Sequence, residues 1–401
     1  MTEEYYSLDT GRPCCDPVIV VKIALLQHIF GIRSLRQTIK EVETNIAYRW
    51  FLHFNLDTPI PHFATISYAF ASRFPDKLFE DIFSWILEKI VEKKLIDEKV
   101  IFIDSTHIKA NANKKKHRKE RAKFAARVYD EKLRQEIDAD RLEHGKKFIK
   151  DKENGESAKE ITVSVNDPDS GLFHKGEHKV ESAYTAHTAC DKHNFILFSK
   201  VTAGNIHDSM VFDDVYDTVS KKFSKVHAVA VDAGYKTLCI CKKVIDDGKE
   251  IVTPYKRAKT KKGFLHSYEF VYDEYYDCVI CPNNKVTYST TNREGYKEFK
   301  NNPKDCEKCK YRDKCTNSKN HQKVVTKHIW SKYIEMAEDI RHTKRGKRLY
   351  SLRSQTIELV FADAKEKHSM LYTFIKILPR VQNWVRLKFA AMNLKKLAMW
   401  A

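Results

Sequence analysis

The sequence predicts a mixed α/β core enclosed by helices, and three observations carry that reading. Residues 17–94 and 331–400 set apolar side chains at helical spacing, while VIFI at 100–103 and VHAVAV at 226–231 read as buried strands. Half of the ten cysteines crowd into residues 278–315. A chain of 401 residues suffices for two or three domains, and 42% hydrophobic content with 12 Gly and 10 Pro excludes a disordered or fibrous protein.

Helices come first. Pro17 suits a first helical position, Val18, Val21, Leu25 and Ile29 follow at helical spacing, and Gly31 interrupts the run. Ser34 with Gln37 forms a capping-box pattern for the next helix. Two helices meeting at so short a turn are compatible with a helix-turn-helix and equally with ordinary packing. Further helices are expected over 64–73 and 77–94, the second burying Leu78, Ile82, Phe83, Ile86, Leu87 and Ile90.

The strand 100–103 ends in Asp104. Residues 110–160 then hold 16 Lys or Arg and 11 Asp or Glu with little apolar content, which reads as a solvated helical excursion or as a phosphate-contacting one. Strand signals return at 161–165, 183–189 and 195–201, divided by DPDSG and DKHN turns, and argue for an antiparallel meander. A helix over 208–220 leads to strand 226–231, which ends in Asp232, and a helix over 236–247 leads to Ile251 and Val252. Periodicity is weak over 256–325 and helical from 331 to 400, with one helix expected over 347–368. These shifts divide the chain into a helical, DNA-binding-like domain (1–97), a core (98–255) with a basic insertion (110–160), a Cys-rich insertion (256–325) and C-terminal core helices (326–401).

Lys plus Arg number 72 against 54 Asp plus Glu, so the net charge of +18 makes polyanions the natural partners, nucleic acid foremost. The longest apolar stretch, 18–32, is interrupted by Lys22, Gln27 and His28 and falls short of the roughly 20 residues that cross a bilayer. The N-terminus MTEEYYSLDTGRP lacks a basic region followed by an apolar block. A cytoplasmic protein is expected, and in that compartment clustered cysteines suggest metal before disulfides.

An acid at the carboxyl end of an apolar strand suits the crevice where α/β proteins bind ligands, and Asp104 and Asp232 both stand there. A third acid, Glu358, lies in the helix expected over 347–368. At about 100° per residue, Tyr350, Arg353, Glu358 and Lys365 would share roughly 140° of its surface, as a charged helix face or as a site. Three carboxylates from distant parts of a chain are what two Mg²⁺ ions about 4 Å apart require, with cations and a phenol beside them for phosphate. Asp208, within AGNIHDS, is a rival second acid that reads as a helix N-cap.

The segments VIFIDSTHIKANAN, AVAVDAGYKT and YSLRSQTIELVFADAKEKHSMLYT resemble the three signature segments of DDE transposases from bacterial insertion sequences, the third with that family's Tyr, Arg, Glu, Lys pattern as Tyr350, Arg353, Glu358 and Lys365. The helical stretch from GRPCC to YRWFL and the AGNIHDS motif resemble the same branch. The resemblance implies an RNase H-like mixed-sheet core with Asp104, Asp232 and Glu358 holding two Mg²⁺ or Mn²⁺ ions. It further implies double-stranded DNA as partner, at element ends and at targets, and a homodimer in the DNA complex. Tyr350, Arg353 and Lys365 would hold phosphates, with His107, Lys109 and His207 beside the acids as further DNA contacts; the two histidines read equally as structural.

Cys278 and Cys281 form CxxC, Cys306 and Cys309 a second, and Cys315 follows. Two such pairs satisfy a tetrahedral structural Zn²⁺. Cys281, Cys306, Cys309 and Cys315 are the preferred zinc-ribbon-like set, with Cys278 in reserve. The implied activity is metal-dependent cleavage at insertion-sequence ends followed by strand transfer. Two alternatives remain: a DNA-binding regulator without catalysis, and a nuclease that cuts without joining.

Overall fold

The computed structural model describes residues 15–112, 117–123, 129–143, 145–148, 158–175, 179–256, 260–291 and 295–400. Much of the basic stretch 114–127, and Cys14, lie outside the described residues.

Five helices open the chain: α1 (Pro17–Ile29), α2 (Leu35–Thr44), α3 (Ile46–Phe51), α4 (Phe63–Tyr68), which runs on into a π-helical turn (Ala69–Arg73), and α5 (Asp76–Glu92). Asp16 caps α1 by accepting the Val18 amide, with Pro17 in its first turn. Ser34 caps α2 by accepting the Gln37 amide, but the Gln37 side chain donates to Glu41, so only half of the expected capping box forms.

The chain then enters β1 (Val100–Lys109), passes through β2 (His117–Lys123), α6 (Tyr129–Glu143) and β3 (Ala158–Ser164), and builds β4 (Gly171–Lys175), β5 (Lys179–Asp191) and β6 (Ile196–Ala203). α7 (Phe212–Lys222), β7 (Ala228–Val231), α8 (Leu238–Asp246) and β8 (Glu250–Val252) complete the core sheet. Its order is β4-β5-β1-β7-β8, with β6 also on β5. The β4, β5, β6 and β1 pairings are antiparallel, whereas β7 runs parallel to β1 and β8 parallel to β7. β7 is buried at every position, as an apolar run covered on both faces must be.

The insertion folds as β9 (Val271–Asp273), β10 (Cys278–Ile280), β11 (Val286–Thr291), β12 (Tyr296–Lys300), the short helices α9 (Pro303–Glu307) and α10 (Arg312–Cys315), and β13 (Val324–His328). These strands form a separate five-stranded antiparallel sheet with its own small core of Phe270, Val279, Cys281 and Phe299. The helices α11 (Ser331–His342), α12 (Lys344–Ser351), α13 (Ile357–Glu366) and α14 (Leu378–Trp400) follow. α14 packs on α1, α5 and β6, so one continuous core joins Val20 and Ile86 to Val229 and Phe389.

Four expectations change. The strand bearing Asp104 does not end there but runs on to Lys109, because β5 continues to pair with it. The strand near 161–165 is β3, which pairs with β2 in a two-stranded ribbon outside the core sheet, and β4 takes its place beside β5. The basic excursion is therefore partly strand and not purely helical. The single helix over 347–368 is broken: α12 gives way to a 3-10 turn (Leu352–Gln355), and Thr356, at φ −117° and ψ −102°, separates it from α13. The shared helical face of Tyr350, Arg353, Glu358 and Lys365 does not exist in that form.

Candidate functional site

The site lies where the parallel pair ends. β1 and β7 are aligned with Ile103 opposite Val231, so Asp104 and Asp232 are next in line on neighbouring strands. Beyond this point β7 turns into a 3-10 helix (Ala233–Tyr235) while β1 continues, so the parallel pairing ends at the two acids. Apolar neighbours Ile101, Phe102, Ile103, Val229, Ala230 and Val231 are fully buried. They fix the two strands and leave the acids at the rim.

Between the acids lies Arg353. Its Nη2 donates to Asp104 Oδ2 at 2.5 Å and its Nη1 to Asp232 Oδ1 at 3.4 Å. The guanidinium side chain is 3% exposed and packs against the Tyr350 ring, 5.6 Å from its centroid. The break at Thr356 makes this reach possible, because a continuous helix would hold Arg353 on its own surface. Burial pushes Asp104 up to about 6, against the pull of Arg353 and of the Ser105 amide it accepts at 2.8 Å. Two adjoining carboxylates around one buried cation form a site that requires positive charge.

Glu358 stands in the first turn of α13, where an acid complements the helix dipole, and is exposed. α13 packs on β1 through a face that buries Ile357, Val360, Phe361 and Ala364. Lys365, later on α13, lines a cavity of about 780 Å³ together with Arg33, Tyr372 and Trp384. Lys109 pairs with Glu181 at 3.4 Å, and its amide donates to Leu371. His107 stacks on Phe173 with centroids 3.5 Å apart and meets the Thr185 hydroxyl at 2.9 Å. His207 caps the short turn Asp208–Met210 by accepting the Ser209 amide.

That last contact corrects the reading of Asp208. The cap is His207, and the Asp208 carboxylate is left to face His187, whose Nδ1 is 3.5 Å from Asp208 Oδ1. The turn carrying Asp208 packs on the turn that follows Asp232. AGNIHDS was the signal available in the sequence, but an acid before a helix looks like a cap until its neighbours are known.

In the insertion, Cys281, Cys306, Cys309 and Cys315 line one small cavity of about 20 Å³. Burial pushes the Cys315 thiol up, and the other three thiols add to that effect. Cys278 lies buried on β10 and is not among the lining residues. The nine described cysteines are free of disulfides. Among the described residues, no three His, Cys, Asp or Glu side chains stand together in a set able to hold a metal ion. The donor chemistry nevertheless fits two different metals: soft thiols around one cavity suit zinc, and hard carboxylates already gathered on a cation suit magnesium or manganese.

Comparisons with known proteins bear on both ends of the chain. Residues 280–398 match the family model of the transposase DDE domain, and residues 1–72 match that of a transposase domain, DUF772. No curated protein matches the chain. Among solved structures, the Mos1 transposase paired-end complex with left transposon end is 9% identical over 61% of this chain, with a TM-score of 0.19. The Mos1 mariner paired-end complex with Mn is 9% identical over 63%, with a TM-score of 0.20. The chain spans 62% and 63% of those two proteins' lengths, under two thirds of each. A transposase family model thus matches at each end of the sequence, and Glu358 lies within the stretch similar to the transposase DDE domain.

Proposed function

We propose that the chain is a DNA transposase that cuts phosphodiester bonds at the ends of an insertion sequence and joins the freed 3′-hydroxyl to target DNA. The observation that carries this reading is the pairing of Asp104 and Asp232, distant in sequence, around one cation at the mouth of a mixed sheet. Three antiparallel strands continued by two parallel ones support an RNase H-like core.

Asp104, Asp232 and Glu358 would hold two Mg²⁺ or Mn²⁺ ions, which when bound make water nucleophilic and stabilise the leaving oxygen. The chain's own residues orient the DNA. Lys109 and His107, further along β1 on the face of the sheet opposite Asp104, and His207, next to Asp208, would contact flanking DNA. Tyr350, packed on Arg353, would approach from the C-terminal helices, while Lys365 lines a cavity whose walls include neither acid. Arg353 meets a phosphate only after releasing its aspartates, which ties phosphate capture to rearrangement of the acids. Cys281, Cys306, Cys309 and Cys315 would hold a structural Zn²⁺, a closed thiolate site with no open position for chemistry. Residues 1–97 would contact the element end, and a homodimer would bring two ends together.

The test is Mn²⁺-dependent nicking of duplex DNA that carries the element's ends. Asp104→Ala is expected to lower nicking at least about 100-fold while DNA binding persists, since the acid contributes to chemistry and not to affinity. Binding is expected to weaken about 10³-fold or more between 50 and 200 mM salt, as many phosphate contacts on a +18 protein require. Ends supplied with precut 3′-hydroxyls should yield joined products. Cutting without joining would reduce the protein to a nuclease, and binding without cutting would make it a regulator.

A further inference from the structure

The cavity of about 780 Å³ has neither Asp104 nor Asp232 in its walls and lies between the N-terminal helices and α14. Its volume falls within the range of about 300–1,000 Å³ usual for small-molecule sites. Gln27 and His28 of α1 form part of one wall. Arg380, Asn383, Trp384 and Lys388, at the i, i+3, i+4 and i+8 spacing of a single helical face, form part of another. A helix face turned into a core is ordinarily apolar, and this one is not. Five cations, Arg33, Lys365, Lys376, Arg380 and Lys388, line the cavity against one acid among the described residues, Glu366. Phe70, Phe374 and Trp384 add flat aromatic surface. Planar rings beside an excess of cations suit an anion that carries an aromatic body.

Two buried polar groups in this lining are incompletely bonded. Lys388 is 2% exposed. Its Nζ donates to the His368 carbonyl at 2.5 Å, lies 3.4 Å from His28 Nδ1 and stands 4.6 Å from the centroid of the Trp384 ring. Among the described residues no carboxylate pairs with it, and burial pushes its ammonium down to about 7. The Asn383 side chain donates through Nδ2 to Asp76 Oδ1 at 2.6 Å, while its buried Oδ1 has no hydrogen-bond partner among the described residues. An ammonium without a counter-ion and an orphaned acceptor both cost free energy until a ligand answers them. Together they call for one negative group and one N–H or O–H donor on the same ligand.

We propose that this cavity binds one nucleotide, its phosphate held by Lys388 and the neighbouring cations, its base laid on the aromatic wall at Trp384 and donating to Asn383 Oδ1. A nucleotide unites the three features the lining asks for: phosphate charge, a planar ring and a polar N–H on that ring. Two sources share this chemistry, a free nucleoside monophosphate and an unpaired nucleotide of a DNA strand. Lys365 stands seven residues beyond Glu358 on α13, about 10 Å along the helix, which places the cavity within reach of a strand held at Glu358. The strand source rests on the reading of the chain as a transposase, and the free-nucleotide source does not.

Isothermal titration calorimetry of the full chain in EDTA with dAMP, and with deoxyadenosine and inorganic phosphate as the two halves of that probe, tests the site without metal or cleavage. dAMP is expected to bind more tightly than either half. Lys388→Met, which keeps an unbranched stem and removes the charge, should weaken dAMP about 10-fold or more and leave deoxyadenosine unchanged. Trp384→Leu should weaken dAMP and deoxyadenosine alike, by about 5-fold. A merely structural lysine would not separate the two probes. Circular dichroism and the melting midpoint without ligand report on folding. Should Lys388→Met unfold, Lys376→Ala and Arg380→Ala remove charge from the same lining at positions that are not buried, and each should lower dAMP affinity. Displacement of dAMP by a duplex with one unpaired 5′-phosphorylated nucleotide, and not by the same duplex blunt-ended, assigns the cavity to the DNA strand. Retention of dAMP beside both duplexes assigns it to a free nucleotide. Displacement by both alike makes the cations a duplex-binding surface and overturns the proposal. So does a wild-type protein that binds no dAMP, or equal dAMP affinity in wild type and the folded variants. Those failures leave metal-dependent nicking untouched, whereas a nucleotide site in a protein that never nicks end-containing DNA would stand while the transposase reading fell.

Discussion

Arg353 has its guanidinium buried against two carboxylates, and such a pair resists truncation more than it adds stability. Arg353→Ala would leave Asp104, 18% exposed, facing Asp232 with no compensating charge. The metal-free variant is expected to lose about 3 kcal/mol of unfolding free energy, measured by urea denaturation in EDTA. Added Mn²⁺ should restore part of that loss, since it supplies the missing positive charge. Equal stability in wild type and variant would mean that the guanidinium contributes nothing to holding the acids. At this scale Asp104 and Asp232 were legible because each follows a run of apolar residues that can only be a buried strand. Arg353's ion pairs were not legible, since they depend on a helix break at Thr356 that no glycine or proline announces. Asp208 was hidden for a different reason: His207, a weak cap on composition alone, took the role assigned to it.

Elements divide into those set by apolar periodicity and those set by pairing. α1, α5 and β7 follow from local pattern, whereas β2 and β3 pair through polar sequences whose partner is chosen by tertiary structure. The turn after β5 has a titratable keystone. Asp191, fully buried, accepts the backbone amides of Asp97, His193 and Phe195, and burial pushes its carboxyl up to about 6. An acid whose folded pKa is raised binds its proton more tightly in the folded state, so its contribution is present at low pH and lost as pH rises through about 6. Asp191→Asn removes that term, and the variant's stability should therefore fall more steeply than the wild type's between pH 7 and 4.5. Parallel pH profiles from urea denaturation would exclude it. The insertion has a small core of four residues beside a thiol cavity, little apolar burial for five strands. A strong zinc chelator is expected to render residues 260–325 protease-sensitive first, with the core sheet resisting. Simultaneous loss of both would show that the thiols stabilise no separate unit.

Across the whole molecule, the helical N-terminal segment and the C-terminal helices are joined at a point of close backbone approach. Gly31, read from the sequence as a helix stop, has φ +66°, and a Cβ there would lie 2.2 Å from the Lys367 carbonyl oxygen just beyond α13. Around it, Ser369 donates to the Gly31 carbonyl at 2.5 Å, His368 Nδ1 meets the His28 carbonyl at 2.7 Å, and Lys388 of α14 donates to the His368 carbonyl at 2.5 Å. The sequence could show that a turn falls at Gly31, but not that the turn lies against the helix bearing Glu358. Gly31→Ala meets both obstacles, a left-handed backbone and an overlap with a carbonyl that cannot swing aside, and is expected to lower stability by at least about 2 kcal/mol. Gly31→Asn separates them, because asparagine tolerates positive φ yet still carries a Cβ. If the close approach dominates, both variants destabilise alike, and hydrogen exchange should quicken together in α1 and α13, on either side of the junction. If the Gly31→Asn variant keeps wild-type stability, the contact with Lys367 yields readily, and the N-terminal helices are not held rigidly against α13.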